Sequence, residues 1–309
     1  MTLNELRYIV ALAQERHFGR AAEISYVSQP TLSVAVKKLE DELGVTLFER
    51  NKQEVSLTTV GERIVQQAQR VLEEADNIKR LAYEGKDQLV GSLRLGAIYT
   101  IGPYLLPHLI PELHEIAPEM PLQIEENYTA KLSEKLKQGE LDVILIALPF
   151  DEPGIVTLPL YDEPFVVLIP SSHTWQEKEE INNQDLENET VLLLGAGHCF
   201  REQVLEFCPA CAHHSSVEGT IQKSLEGSSL ETIRHMVASG MGITVLPCTA
   251  AGADKYAQRL INVRRFSTPV PKRRIALAWR SSFPRPKAIE VLRQSVRNCN
   301  LSCVSFIGK

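Results

Sequence analysis

The stretch FGRAAEISYVSQPTLSVAVKKLEDELG, residues 18–44, decides the fold of the first part of this chain. Ala21 and Ala22 are the small side chains a close helix crossing needs. Ser28 is a good N-cap, and Pro30 falls in a first helical turn, where a missing N–H costs little. Leu32, Val36, Leu39 and Leu43 then recur on one helical stripe, which Gly44 stops. Upstream, Leu3, Leu6, Ile9, Val10 and Ala13 pattern a helix over 3–16. Downstream, the β-rich pieces Val45–Phe48 and Val55–Thr58 flank a polar turn at 49–53. Three helices and a hairpin in this order predict a winged helix-turn-helix over 1–58.

In such a motif the second helix of the pair enters the major groove of DNA. Its outward residues Gln29, Thr31, Ser33, Val34 and Lys37 are the candidate readers, since Gln matches adenine bidentately and Ser or Thr contacts bases or phosphates. The competing reading is a plain solvated face, and charge does not separate the two. Residues 1–58 hold seven Lys/Arg against eight Asp/Glu, and the whole chain is formally −6, so bulk attraction to nucleic acid is absent. A DNA reader of this balance relies on placed charges such as Arg20, Lys37 and Arg50, and on dimerisation. Ile64, Ala68, Val71, Ala75, Ile78 and Ala82 supply a heptad seam on a linker helix over 59–89. The alternative is an ordinary amphipathic helix packed on its own domain.

From residue 90 the pattern alternates. Strand-like runs at 92–98, 122–126, 143–148, 165–169, 191–194, 243–246 and 275–279 are interleaved with helical patterns at 103–116, 131–138, 200–208 and 229–239. This is an α/β effector domain over 90–309, with a largely parallel sheet. Ligands in such folds sit where strand ends meet helix N-termini. Thr100 and Thr129 each follow a strand, and each is equally a candidate helix cap, the likelier role for Thr129.

The segment GAGHCFREQVLEFC, residues 195–208, carries two cysteines. Cys199 follows a glycine-rich turn at a helix start, beside His198 and Arg201, and both settings favour a thiolate. Cys208 ends the apolar face of Phe200, Val204 and Phe207. Across a helix the two Cα atoms lie roughly 13 Å apart, whereas a disulfide spans at most about 7 Å. Either this is a switch in which the helix comes apart, or it is one exposed and one buried cysteine on a core helix. Cys211 completes a Cys-Pro-Ala-Cys followed by His213 and His214, which leaves three readings open: a bystander, an alternative resolving thiol, or a zinc site with Cys208. Cys248, Cys299 and Cys303 have no partner motif and read as one core and two tail thiols. A thiol peroxidase or disulfide oxidoreductase is the rival of another class. Against it, Pro209 follows the first cysteine of the pair at a helix end.

The blocks HFGRAAE (17–23), VSQPTLS (27–33), KLEDELGV (38–45), LFER (47–50) and LTTVG (57–61) resemble the N-terminal domain of LysR-type transcriptional regulators. The resemblance implies that Gln29, Pro30, Thr31 and Ser33 face DNA, that Arg50 belongs to the wing, and that 59–88 form the linker helix. It also implies a two-lobed, periplasmic-binding-protein-like effector domain, with lobe I at 90–163 and 269–309 and lobe II at 164–268. TIGPYL (100–105), YTA (128–130), SLET (229–232) and the 195–208 segment further resemble the peroxide-sensing members of that family. That implies a peroxidatic Cys199, a resolving Cys208, and a peroxide pocket of Thr100, Thr129, His198 and Arg273. A metabolite-responsive regulator with an incidental Cys199 is the alternative within the family. The expected partners are promoter DNA, hydrogen peroxide, RNA polymerase, a thiol reductant and further copies of the chain, as a dimer of dimers. No cofactor, metal or membrane is expected, nor any enzyme activity, and the expected location is the cytoplasm.

Overall fold

The computed structural model describes residues 1–50, 55–83, 88–211, 227–252 and 259–308. It divides into two units, Met1–Lys86 and Asp87–Lys309.

In the first unit, Thr2 caps α1 (Leu3–Glu15) in a reciprocal box with Glu5. α2 (Phe18–Ile24) and α3 (Gln29–Leu43) form the helix-turn-helix. The Ser28 hydroxyl accepts the Thr31 amide, and Gly44 ends α3 in the left-handed conformation, φ 67°. Leu32, Val36 and Leu39 are sealed in a core with Leu6, Ile9, Leu12, Ala21 and Ala22. Leu43 stands 39% exposed, so the buried stripe ends one turn earlier than expected. β1 (Phe48–Arg50) and β2 (Val55–Leu57) pair antiparallel, with Phe48 opposite Leu57. The first strand starts later than the sequence suggests because the Leu47 and Phe48 amides donate to the Glu40 carboxylate, which ties this backbone to α3. α4 (Thr59–Tyr83) opens where Thr58 accepts the Gly61 amide. A side chain at Gly61 would collide with the Leu47 carbonyl oxygen.

The expected dimer seam needs correction along part of α4. Ala68 is buried in the unit's own core, and Ile64 and Val71 pack partly against it, so these three serve the fold. Ala75 is half-buried and Ile78 is 68% exposed, while the Ala82 side chain lies outside the described residues.

The second unit begins with β3 (Leu93–Ile98), α5 (Gly102–Ile116), β4 (Leu122–Asn127), α6 (Thr129–Lys137) and β5 (Val143–Leu148). These three strands are parallel, in the order β4-β3-β5. β6 (Ile155–Pro170) is the long crossing strand. Residues 155–164 of it pair with β11 (Lys272–Arg280), and 165–170 pair with β9 (Ile243–Pro247) and β10 (Ile261–Phe266). β7 (Glu180–Ile181) and β8 (Val191–Leu192) flank that second sheet. β12 (Ser305–Phe306) returns to β6. β6 and β11 run antiparallel to their neighbours, so the sheet is mixed and the expectation of a largely parallel one is corrected. One apolar core gathers α5, α6 and α10 (Pro286–Asn298) on the first sheet. A second gathers α7 (Cys199–Phe207) and α8 (Leu230–Ala238) on the second sheet, followed by the short α9 (Cys248–Ala251).

Where β6 passes between the sheets, Glu163 and Arg273 form an ion pair, Nε to Oε2 2.7 Å, with both side chains at 0% exposure. One residue earlier, Asp162 is gripped at the surface. Hydrogen bonds from Arg274 and Lys272 hold its carboxyl down to about 2. Two outcomes follow. Glu163→Gln leaves a buried, uncompensated guanidinium and should cost about 3–5 kcal/mol in urea unfolding. Asp162 has a depressed folded-state value, so its contribution is present above 3.8 and lost as pH falls toward 2. The stability-versus-pH curves of wild type and Asp162→Asn should therefore converge across that interval.

Candidate functional site

Three helices of the second unit begin at one place. Tyr99-Thr100 follow β3 and lead into α5, Tyr128-Thr129 follow β4 and open α6, and His198-Cys199 opens α7. The rings that precede the three polar residues touch one another. Centroids are 5.3 Å apart for Tyr99–Tyr128, 4.7 Å for Tyr128–His198 and 5.9 Å for Tyr99–His198. Gly197, at φ 94°, gives the chain the left-handed turn that brings it against the face of Tyr128. Thr100, Thr129 and Cys199 each follow one of these three touching rings in the chain.

These groups have unspent hydrogen-bonding capacity. Among the described residues, Thr129 Oγ1 and His198 Nε2 are buried atoms without a hydrogen-bond partner. This corrects the reading of Thr129 as a cap. It is the first residue of α6, whose N-cap Tyr128 makes no side-chain cap bond. Burial lowers the His198 pKa, and a hydrogen bond to the Ser228 backbone opposes the shift without cancelling it. The imidazole is therefore neutral near pH 7 and is not the cation the sequence suggested. With the other ring nitrogen committed to Ser228, Nε2 is left as an acceptor. Arg201 also does other work, donating from Nη1 to the Leu194 carbonyl at 2.8 Å.

The buried cation that reaches Thr100 is Arg273. Its Nη1 donates to Thr100 Oγ1 and its Nη2 to the Thr100 carbonyl, both at 2.8 Å, while Nε holds Glu163. Thr100 Oγ1 thus accepts from a guanidinium and has its own O–H to donate. The other Glu163 oxygen takes the Thr249 amide and hydroxyl. Arg273 also lies over the Phe200 ring, 5.3 Å from its centroid, which couples it to α7. Sequence reasoning missed Glu163, Thr249 and the Tyr99–Tyr128 ring pair. It also missed Glu126, which has one unpartnered carboxyl oxygen, a pKa raised by burial, and a place against Gly102.

Cys199 is a free, half-buried thiol at the first position of α7. Cys208 caps the other end, and its amide donates to the Val204 carbonyl. Between them Phe200 and Val204 are buried, and the rings of Phe165, Phe200, Phe207 and Phe266 stack edge to face or tilted beneath the helix. Cys208 is bonded to Cys211, with the Cα atoms 5.5 Å apart. His213 and His214 lie outside the described residues. Cys248 and Cys303, read from sequence as unpaired, are also bonded to each other, Cα to Cα 6.1 Å, and Cys299 is the buried core thiol.

A groove of about 760 Å³ is lined by Asp162, Phe165, Gln203, Phe207, Arg273 and Arg274 among others; it shares Arg273 with the site, and Cys199 does not line it. In the first unit, Gln29, Pro30, Thr31 and Lys37 are exposed and Ser33 is half-buried. The Thr31 hydroxyl already bonds Ser28 at 2.7 Å, and Arg20 is held by Glu15. The Arg50 side chain lies outside the described residues.

A proton titration by NMR reads the His198 environment directly. Its C2–H signal, assigned by its loss in His198→Asn, should titrate below the ordinary value of 6.5. The unfolded state then binds the extra proton, so stability should fall as pH drops below 6.5, and His198→Asn should flatten that limb.

Comparison with known proteins agrees along the whole chain. Residues 3–62 match the bacterial regulatory helix-turn-helix protein, lysR family, and 86–299 match the LysR substrate binding domain. The DNA-binding transcriptional dual regulator OxyR of Escherichia coli K12 is 38% identical over 297 residues, covering 96% of this chain and 95% of that protein. A full-length OxyR structure from Pseudomonas aeruginosa is 61% identical, covers 97% of this chain and 96% of its own, and superposes with a TM-score of 0.77. An OxyR mutant from Corynebacterium glutamicum with hydrogen peroxide bound is 33% identical, covers 96% and 92%, and gives 0.64. The chain belongs to the LysR family of transcriptional regulators, and its full length is similar to OxyR.

Proposed function

We propose that this chain is a hydrogen-peroxide-responsive DNA-binding activator, switched by a reversible Cys199–Cys208 disulfide. The observation that carries the reading is the pair of buried, unpartnered groups, Thr129 Oγ1 and His198 Nε2, at the starts of α6 and α7, with a free Cys199 opening α7. Each such group costs about 1–3 kcal/mol when left unbonded. A small molecule with two hydroxyls satisfies both at once. His198 accepts one O–H, Thr129 completes the cradle, and the Thr100 hydroxyl, polarised by Arg273, donates to the departing oxygen. The Cys199 thiolate attacks one peroxide oxygen, the O–O bond breaks, and hydroxide leaves with a proton taken up on the way. The sulfenic acid then condenses with the Cys208 thiol, forming the S–S bond and releasing water.

The helix between the two sulfurs has to open for that bond to form. Phe200 and Val204 each contribute about 1.5–3 kcal/mol of burial, so the disulfide remodels the second unit and not only α7. The remodelled effector domain, 90–309, alters the DNA contacts of the winged helix-turn-helix, 1–58. Within 90–309 the lobes divide at 163/164 and 268/269. Gln29, Pro30, Thr31, Ser33 and Lys37 read the DNA, with Arg20 and Arg50 on the backbone. The later part of α4, at Ala75 and Ile78, joins two copies, and effector contacts join the dimers. RNA polymerase and a cytoplasmic thiol reductant complete the circuit. No helix among the described residues is long and apolar enough to cross a membrane.

Footprinting of promoter DNA with and without peroxide tests the switch. Cys199→Ser should bind DNA in the reduced-state pattern and show no shift. Thr129→Val should fold at least as stably as wild type, because it replaces an unbonded buried hydroxyl by a methyl, yet oxidise more slowly. Thr129→Val with wild-type oxidation kinetics would remove the cradle. A metabolite-responsive regulator would instead use the groove near Gln203 and respond to its ligand in Cys199→Ser.

Sedimentation separates the two ends of α4. Ile78→Glu should lower self-association while the first unit stays folded, whereas Ala68→Glu should unfold that unit by burying a charge.

A further inference from the structure

We propose that Cys211 is a relay thiol that ends the peroxide signal from within the chain: it takes Cys208 away from Cys199 by thiol–disulfide exchange and leaves the oxidation stored as a Cys208–Cys211 disulfide. The proposal rests on the peroxide-sensing reading above and extends it to the reset of the switch.

The geometry of the segment carries the argument. Cys208 and Cys211 are joined with their Cα atoms 5.5 Å apart, and the turn between them closes through the Cys211 amide and the Cys208 carbonyl at 3.1 Å. Both are buried in the second core, at 3% and 0% exposure. While they are bonded, α7 is intact from Cys199 to Phe207, and Phe200 and Val204 keep their buried places. A Cys199–Cys208 bond has the opposite requirement, since nine helical steps place these Cα atoms roughly 13 Å apart. Cys208 sits at the junction of both bonds and can hold one at a time. The bond that opens α7 and the bond that is compatible with it therefore compete for a single sulfur.

The exchange balances without any outside reagent. The Cys211 thiolate attacks Sγ of Cys208, the Cys199–Cys208 bond breaks, the Cys208–Cys211 bond forms, and Cys199 leaves as a thiolate. One disulfide is consumed and one is made, so no electrons enter or leave. The proton lost by the Cys211 thiol is returned through solvent to the Cys199 side. Refolding of α7 and reburial of Phe200 and Val204 drive the exchange forward. Afterwards Cys199 is again a free thiol, but its resolving partner is occupied. A second peroxide then produces a Cys199 sulfenic acid with no thiol to condense with, so the sensor is refractory until a reductant opens Cys208–Cys211.

The test is a time course on the reduced full-length chain. One equivalent of hydrogen peroxide is added, samples are quenched with an alkylating agent, and disulfides are mapped by mass spectrometry. In wild type the Cys199–Cys208 linkage should appear first and decay into Cys208–Cys211. Alkylatable Cys199 should return at the same first-order rate, whatever the protein concentration. In Cys211→Ala and Cys211→Ser the Cys199–Cys208 linkage should persist until reductant is added. If it persists as long in wild type as in these variants, or if Cys208–Cys211 accumulates before any Cys199–Cys208, the relay is overturned and the peroxide reading stands. If neither wild type nor the variants form Cys199–Cys208, the reading beneath the relay fails too. The wild-type time course decides alone should the variants not fold.

Discussion

The second unit depends on one buried ion pair, Glu163 with Arg273. A guanidinium and a carboxylate removed from water lose several kcal/mol of solvation each, and they remain charged only if the geometry returns it. Here the returns are complete on both sides. Arg273 spends Nε on Glu163 and its two terminal nitrogens on Thr100, while the second Glu163 oxygen takes both donors of Thr249. The pair ties the crossing strands β6 and β11 to the end of β3 and to α9. The place where the chain passes between sheets is therefore also the place where Thr100 is oriented. A threonine that accepts from a guanidinium has its proton turned away from that cation and free to donate.

The same network reaches the redox helix through Phe200, which lies under the guanidinium and on the ring of Phe165. α7 is thus held by apolar burial along one face and by a cation at one of its rings. A switch built on this helix works against that holding energy. If it were much larger, peroxide could not open the helix. If it were absent, Cys199 would lose its place at the helix start beside Tyr128 and His198. The free thiol and the bonded Cys208 stand at opposite ends of this helix, nine residues long.

Much of this was legible in the sequence, and the rest was not for identifiable reasons. Ser28, Pro30 and Gly44 marked the limits of α3 because caps and breakers act locally, within one turn. Val143–Leu148 was read without error because a fully buried strand is a continuous apolar run between turn signals. Leu43 and Ala68 were misjudged because periodicity tells which residues share a face, not what covers it. The helix over Pro286–Asn298 went unread although Ala288, Ile289, Leu292 and Val296 line its buried face. Cys248 and Cys303 are separated by 55 residues, and no local pattern announces a contact at that distance. The cation expected of His198 failed for a related reason. Its neighbours in sequence favour charge, whereas burial by residues distant in sequence removes it.

The deepest limit of the sequence concerned the polar atoms that remain unbonded. Thr129 looks like a helix cap by type and position, and the distinction lies in where one oxygen points. Proteins bond nearly every buried polar group, because an orphan forfeits its water without replacement. Thr129 and His198 stand at the starts of α6 and α7, and α7 also opens with the free thiol. A ligand large enough to bring apolar surface would have to displace the Tyr99, Tyr128 and His198 rings, whose centroids are within 6 Å of one another. The ligand proposed for these residues is small and carries hydroxyl hydrogens and oxygens together, which matches two orphaned polar atoms better than a ligand that needs apolar contact would.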